Sequence, residues 1–325
     1  MKLIKNLLLV ALAFVIALAI QNYSFSNTLK FVQLSDIHYT TKREDTTFKM
    51  LSKSKVLLKD AISQINTIPN LDLVVVTGDL TDAPKVEEVE EVLPIMNTLN
   101  TPWYLSFGNH DIAISGKLTK KKYIELLQEN NSAITSDKSY YSFYPKKGYK
   151  MIILDCIIDD RVTGNGYIPQ EEMKWLEEEL ANAKDDAIML FMHCPLKEPF
   201  KSSGHRLLNA TELNNLLIKQ HKPIAVFTGH YHASKVFLEN NILYVCSPSL
   251  VTYPNAFRLI NVTNESDKIT YKLTFYETGR KDIQSTAKLK LFASQTYAGG
   301  KKDQNATYTL LKNTQEEPVE TEAEK

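Results

Sequence analysis

Residues able to ligate metals or move protons recur immediately after short apolar runs in this chain. Asp36-Ile37-His38 follows FVQLS, Gly78-Asp79 follows LVVVT, and Gly108-Asn109-His110-Asp111 follows WYLSF. His193 follows AIMLFM, and Gly229-His230-Tyr231-His232 follows IAVFT. Five of the seven histidines fall at these places. Imidazole, carboxylate and amide-oxygen donors mixed in this way suit Mn, Fe or Zn better than the oxygen-only sites of Ca and Mg. Asp-x-His and His-x-His set two donors one residue apart, on one face of a strand or converging in the loop beyond it. The glycines let the backbone turn sharply and carry the next side chain over a sheet edge. Taken singly, each cluster is weak: Asp-x-His and Gly-Asn are ordinary turn chemistry. Five clusters, each directly after a strand, point together to a metal centre.

The elements that must position these residues alternate. Apolar runs at 29–34, 71–77, 103–107, 187–193, 224–228 and 242–246 read as strands, several of them continuous and β-branched as in fully buried sheets. Helical periodicity covers 44–65, with Leu51, Val56, Leu57, Leu58, Ile62 and Ile65 on one side, then 85–98, where Pro94 is expected to kink or break it. Further helices are expected at 120–128, 170–181 and 210–219. Residues 139–155 read as a hairpin turning through Pro145-Lys146-Lys147-Gly148, and 257–262 and 269–277 as closing strands. No element is assigned from 284 to 311. Strands alternating with helices, then strands in adjacent pairs, imply an α/β sandwich with two mixed sheets between helical layers, α/β/β/α in order. Ligands in such folds gather beyond the carboxyl ends of strands.

Composition bounds the function. Hydrophobic residues make up 43% and charged residues 23% of 325, and Lys plus Arg equal Asp plus Glu at 38 each. A balanced charge excludes a general nucleic-acid binder, which needs a basic excess to neutralise phosphates. A small phosphoester stays open, because a metal site brings its own positive charge. Cys156, Cys194 and Cys246 are odd in number and lie in or beside apolar runs, which argues for buried thiols and against a disulfide framework.

In this order, the segments SDIHY, TGDLTD, SFGNHD, FMHCPL and TGHYH resemble the motifs of the calcineurin-like metallophosphoesterases. The resemblance covers about residues 29–250. The spacing, with a helix at 170–181 ahead of the His193 strand, resembles the branch that includes class III cyclic-nucleotide phosphodiesterases. It implies two divalent or trivalent transition-metal ions (Mn, Fe or Zn). Asp36, His38 and His232 would hold one, Asn109, His193 and His230 the other, and Asp79 would bridge them. His110, oriented by Asp111, would stand beside the leaving oxygen. The implied reaction is attack on phosphorus by a hydroxide bridging the metals, in a phosphodiesterase or phosphatase acting on nucleotides or other small phosphoesters. A phospholipid or pyrophosphate-bond hydrolase is the alternative within enzymes, and a non-catalytic scaffold of the same fold the alternative outside them.

Lys2 and Lys5 precede an unbroken apolar run from Leu7 to Ile20, the pattern of a secretory leader. The reading is an exported protein: 1–26 a signal peptide or N-terminal membrane anchor, 27–280 the phosphoesterase domain, 281–312 a C-terminal extension, and 313–325 a disordered acidic tail. Oligomeric state is left open. His205 and Arg206 lie on the connection after the His193 strand, either as surface-loop residues or as substrate contacts.

Overall fold

The computed structural model describes residues 28–112, 118–184 and 186–312. The leader at 1–26 and the tail at 313–325 therefore lie outside the described residues. The strands are β1 (Thr28–Leu34), β2 (Leu73–Thr77), β3 (Trp103–Ser106), β4 (Tyr141–Lys146), β5 (Tyr149–Ile153) and β6 (Ala187–Phe191). They continue with β7 (Ile224–Thr228), β8 (Lys235–Glu239), β9 (Ile242–Cys246), β10 (Ala256–Asn264), β11 (Lys268–Glu277) and β12 (Ala306–Leu311). One six-stranded sheet runs β12-β11-β10-β1-β2-β3 and the other β4-β5-β6-β7-β9-β8. In the first, β1, β2 and β3 are parallel, while β10 to β12 add an antiparallel half. In the second, β5, β6, β7 and β9 are parallel, with an antiparallel strand at each edge.

Strand side chains alternate between two burial environments instead of between core and water. Leu73 and Val75 of β2 face Met189 and Phe191 of β6 in the layer between the sheets. Val74 and Val76, and Ile188 and Leu190, face the outer layers with the helices. Phe31 anchors the middle layer, its ring 5.6 Å from Phe191 and 5.3 Å from Phe227, both edge-on. Burial on both faces accounts for the continuous apolar runs, and the architecture is the α/β/β/α sandwich that the alternation implies.

The helices are α1 (Ser54–Ile65), α2 (Val86–Met96), α3 (Lys120–Asn130), α4 (Gln170–Asn182), α5 (Ala210–Ile218), α6 (Lys281–Lys290), α7 (Ser294–Ala298) and α8 (Lys301–Gln304). The helix expected from 44 begins only at the 3-10 turn Leu51–Lys53. Thr46 Oγ1 accepts from the Lys49 amide at 2.9 Å and Asp45 Oδ1 from the Ser52 amide at 3.0 Å. These side chains offer the backbone a local alternative to helix, and 44–50 stays a loop. Val56, placed by periodicity on the inner side, is instead 38% exposed. Pro94 neither ends nor splits α2, which continues to Met96. Residues 281–312, from which no element is called beyond 284, supply α6, α7, α8 and β12, the last an edge strand of the first sheet. Strand β8, absent from the sequence reading, is likewise an antiparallel edge, of the second sheet, half-exposed against β9. All three cysteines are buried free thiols.

Helix α4 carries a carboxylate inward. Glu172, in its first turn, is 2% exposed and accepts from the Asp155 amide at 2.7 Å, tying the helix start to the end of β5. Burial, then the Asp155 charge, pushes Glu172 up to about 9. Its folded pKa lies above the unfolded value near 4.5, so it takes up a proton on folding at neutral pH. Its contribution is complete below the unfolded pKa and is lost as pH rises towards 9. Glu172→Gln keeps an acceptor for the Asp155 amide and cannot ionise. Thermal midpoints should be similar for the two proteins at pH 5, with the variant ahead at pH 8 by the equivalent of roughly 3 kcal/mol; parity at both pH values would refute the buried neutral acid.

Candidate metal centre

Each functional side chain leaves the carboxyl end of a parallel strand. β1 delivers Asp36 and His38, β2 Asp79, β3 Asn109 to Asp111, β6 His193, and β7 His230 and His232. Asp36, His38, Asp79, His230 and His232 all hold positive φ, between 44° and 70°. Non-glycine residues adopt that region rarely, and then at sites where the surroundings dictate it. The loops dictate it here by binding to one another. Asp36 N donates to Gly78 O at 3.1 Å, His38 N to Asp79 O at 2.9 Å, and Gly229 N to His193 O at 3.0 Å. His230 N donates to both Asp36 carboxylate oxygens, at 3.1 and 3.0 Å. Gly78, at φ +86°, leaves no room for a side chain, because a Cβ there would strike the His193 ring.

Among the described residues three groups of donors result: Asp79 belongs to two of them, and His38, Asp82 and His110 make up the third. Ligand atoms of Asp36, His38, Asp79 and His232 lie within 4.8 Å of one another, as do those of Asp79, His193 and His230. In the first group, His38 Nε2 is 3.1 Å from His232 Nε2 and 3.4 Å from Asp79 Oδ2. In the second, His193 Nε2 is 2.9 Å from His230 Nδ1, 3.2 Å from Asn109 Oδ1 and 3.4 Å from Asp79 Oδ2. The outer nitrogens fix the tautomers. His193 Nδ1 meets the Thr77 carbonyl at 2.9 Å, which only accepts, so Nδ1 carries the proton and Nε2 offers its lone pair. His38 Nδ1 faces the Asp82 carboxylate at 3.0 Å, and His232 Nδ1 the Thr252 hydroxyl at 2.7 Å.

This donor set fits cations. Nitrogen lone pairs brought within about 3 Å repel unless a positive charge lies among them. Burial holds His38 and His230 well below the usual imidazole range and His232 below it, so these rings resist protonation. Burial also opposes charge on His193, but the Asp79 carboxylate outweighs it and lifts that ring to about 10. Burial works against the Asp79 charge too, and the surrounding imidazoles, His193 foremost, nevertheless hold it well below the carboxylate range. The site thus combines an ionised carboxylate with three rings, His38, His230 and His232, that disfavour protons, an environment suited to metal ions. His230 Nε2, buried and without a hydrogen-bond partner among the described residues, remains as a further donor.

The second group's neighbours form a cavity of about 170 Å³ lined by Asp79, Asn109, His110, His230 and His232, with Lys49 on its wall. His110 stands over the first group, its ring 4.7 Å from that of His38. Asp111 does not orient it. The Asp111 carboxylate accepts from Gly108 N at 2.9 Å, Thr81 N at 3.0 Å and Thr81 Oγ1 at 3.2 Å. Burial, with the Asp79 charge, pushes it up to about 7. His110 Nδ1 instead lies 2.8 Å from the Asp82 carbonyl, so Asp82 has the orienting position and Asp111 braces the loop. Sequence reasoning missed Asp82, although it stands within TGDLTD, and also Lys49, Thr252 and the cavity rings Phe48, Phe200 and Tyr297. His205 does reach the site: its ring lies 5.2 Å from that of His230.

Comparison with known proteins agrees with this geometry. The family model described as calcineurin-like phosphoesterase matches residues 29–234, more than half of the chain. A protein of Xenorhabdus bovienii named as a probable cyclic nucleotide phosphodiesterase is 26% identical over 240 residues, 73% of this chain and 90% of that one. A protein of Arcobacter nitrofigilis named as a probable glycerophosphodiester phosphodiesterase, GpdQ, is 29% identical over 226 residues, 67% of this chain and 77% of its own. The crystal structure of a dimetal phosphatase from Danio rerio superimposes with a TM-score of 0.59 at 16% identity, over 77% of this chain and 99% of that one, which speaks for the fold alone. With sequence motifs, architecture and family match in agreement, the chain belongs to the calcineurin-like phosphoesterases, hydrolases of phosphate ester bonds.

Proposed function

We propose that this protein is an exported two-metal phosphodiesterase acting on small phosphate diesters. The observation that carries the reading is the pair of donor groups sharing Asp79 at the foot of a small cavity. Asp36, His38 and His232 would hold one metal, Asn109, His193 and His230 the other, with Asp79 common to both. Mn, Fe and Zn all suit these ligands. When bound, two such ions supply Lewis acidity and activate water for attack on phosphorus.

The chain's own groups do the rest. Lys49, on the cavity wall, adds positive charge that draws an anionic ester inward. The Asp82 carbonyl fixes the proton of His110 on Nδ1, which leaves Nε2 as the nitrogen that, once protonated, can give a proton to the departing oxygen. The diester reading is supported by the names of the relatives, cyclic nucleotide phosphodiesterases and glycerophosphodiester phosphodiesterases. A second reading, cleavage of a pyrophosphate bond, is supported by a 24% identical rice protein named as a manganese-dependent ADP-ribose/CDP-alcohol diphosphatase. Export rests on the basic and apolar leader, Lys2 to Ile20. No helix among the described residues is long and apolar enough to cross a membrane.

Hydrolysis of bis-p-nitrophenyl phosphate should appear with Mn, vanish on chelation and exceed that of p-nitrophenyl phosphate; preference for the monoester would make the protein a phosphatase. Asp79→Asn should reduce turnover to background and lower the metal content measured by elemental analysis. His110→Asn should retain its metals and lose about 10²–10⁴-fold in kcat; metal loss in that variant would recast His110 as a ligand. Mass spectrometry of protein recovered outside the cytoplasm should find the chain starting near residue 27, and an intact N-terminus in the membrane fraction would favour the anchor.

A further inference from the structure

Four aromatic rings share the cavity with the donor groups: Phe48, Phe200, Tyr231 and Tyr297. Phe200 is central, its ring 5.0 Å from Tyr231 and 5.6 Å from Tyr297. Phe48 stands beside the first donor group, 6.0 Å from the His232 ring, and is 37% exposed. None of these rings supplies a ligand atom or a proton to the reaction described above. They come from four separate parts of the chain, and two of those parts are held in place by specific bonds.

Tyr297 lies on α7, in the C-terminal segment, and is anchored at the metal loop itself. Ser234, two residues beyond His232, donates its amide to the Tyr297 carbonyl at 2.8 Å. The Ser234 hydroxyl donates to the Asp303 carbonyl at 3.0 Å and accepts from the fully buried Arg258 at 2.6 Å. Asp303 in turn accepts from Val236 N at 3.0 Å and Gly300 N at 2.9 Å. Phe48 is presented by the Thr46 turn that replaces the first part of the expected helix. Tyr297 and Phe48 are therefore held beside the donor loops.

We propose that Phe48, Phe200, Tyr231 and Tyr297 form a subsite for the heteroaromatic base of a nucleoside phosphoester, with Lys49 and His205 flanking its phosphate. This rests on the phosphodiesterase reading and narrows it to nucleotides. A base offers a π-face and apolar area to such rings and gains stacking energy there. A glycerol or other polyol group offers only hydroxyls and gains nothing from them. Lys49 sits within this aromatic and charged wall, its ammonium 5.9 Å from the Phe48 ring. His205, held by Ser202 Oγ at 2.9 Å, faces His230 from the other side.

The test compares two monoesters with the same phosphate and different organic parts, adenosine 5′-monophosphate and glycerol 3-phosphate. Their binding to the full-length, Mn-loaded protein is measured by calorimetry. The nucleotide should bind about tenfold tighter or more, and the ratio should fall towards one in Phe48→Ala and in Tyr297→Ala. Because Phe48 is partly exposed, its variant remains informative even if loss of Tyr297 loosens the C-terminal segment. A ratio near one in the unmodified protein, or a ratio unchanged in both variants, would overturn the subsite. Hydrolysis of bis-p-nitrophenyl phosphate by the same preparation separates the two readings. Activity without nucleotide preference removes the subsite alone, whereas preference without activity upholds the subsite and removes the hydrolase.

Discussion

The Asp79 carboxylate, shared between two groups of buried donors, is the constraint around which the rest of this molecule is organised. Bringing imidazole nitrogens to 3.1 and 2.9 Å of one another is unfavourable where both present lone pairs, as metal ligation requires. So is holding five non-glycine residues at positive φ, each at about 1–2 kcal/mol. Neither would persist on a loose scaffold. The loops hold because each binds its neighbour through backbone amides, and the Asp36 carboxylate closes the circuit by accepting from His230 N. The strain is of the kind that marks functional sites, and positive charge among the donors relieves much of it.

The two sheets supply the rigidity. Their facing layers are filled by large side chains such as Phe31, Phe191, Phe227 and Tyr271, all fully buried. Gln33 reaches from β1 to its neighbour β2 and to β7 of the other sheet, donating to Thr77 Oγ1 at 3.1 Å and to the Thr228 carbonyl at 3.0 Å. It thereby couples the first sheet to the end of β7 just below the donors. A close-packed interior has low compressibility, so the carboxyl ends of β1, β2, β3, β6 and β7 keep a fixed spacing although they belong to different sheets.

Much of this was legible in the sequence because the relevant signals are local. A buried strand writes a continuous apolar run, and a donor placed directly after it can be read at once. The sandwich and the identity of the residues gathered at the strand ends both follow from that pairing. What stayed hidden depends on contacts between distant segments. The loop at 44–50 carries a helical periodicity, and only the turn at Thr46 and the Asp45 cap reveal that Phe48 and Lys49 belong to the cavity. Tyr297 lies on a helix of five residues, too short to show a period. Asp82 was in view within TGDLTD, but its hold on His110 comes from a carbonyl, which no side-chain pattern announces, and its carboxylate's contact with His38 comes from a segment far away in sequence. Asp111, adjacent to His110 in sequence, bonds Thr81 and Gly108 instead.

The position of β1 in the first sheet has a consequence in time. It is paired on one side with β2 and on the other with β10, from Thr28↔Thr263 to Gln33↔Arg258. A nascent chain leaving the ribosome thus holds Asp36 and His38 from the start, yet the strand that carries them gains its second neighbour only once residue 263 has emerged. The aromatic wall waits longer still, for Tyr297. The full frame around the donors is therefore complete only once Tyr297 has been made, although the last of the donors, His232, is made well before it.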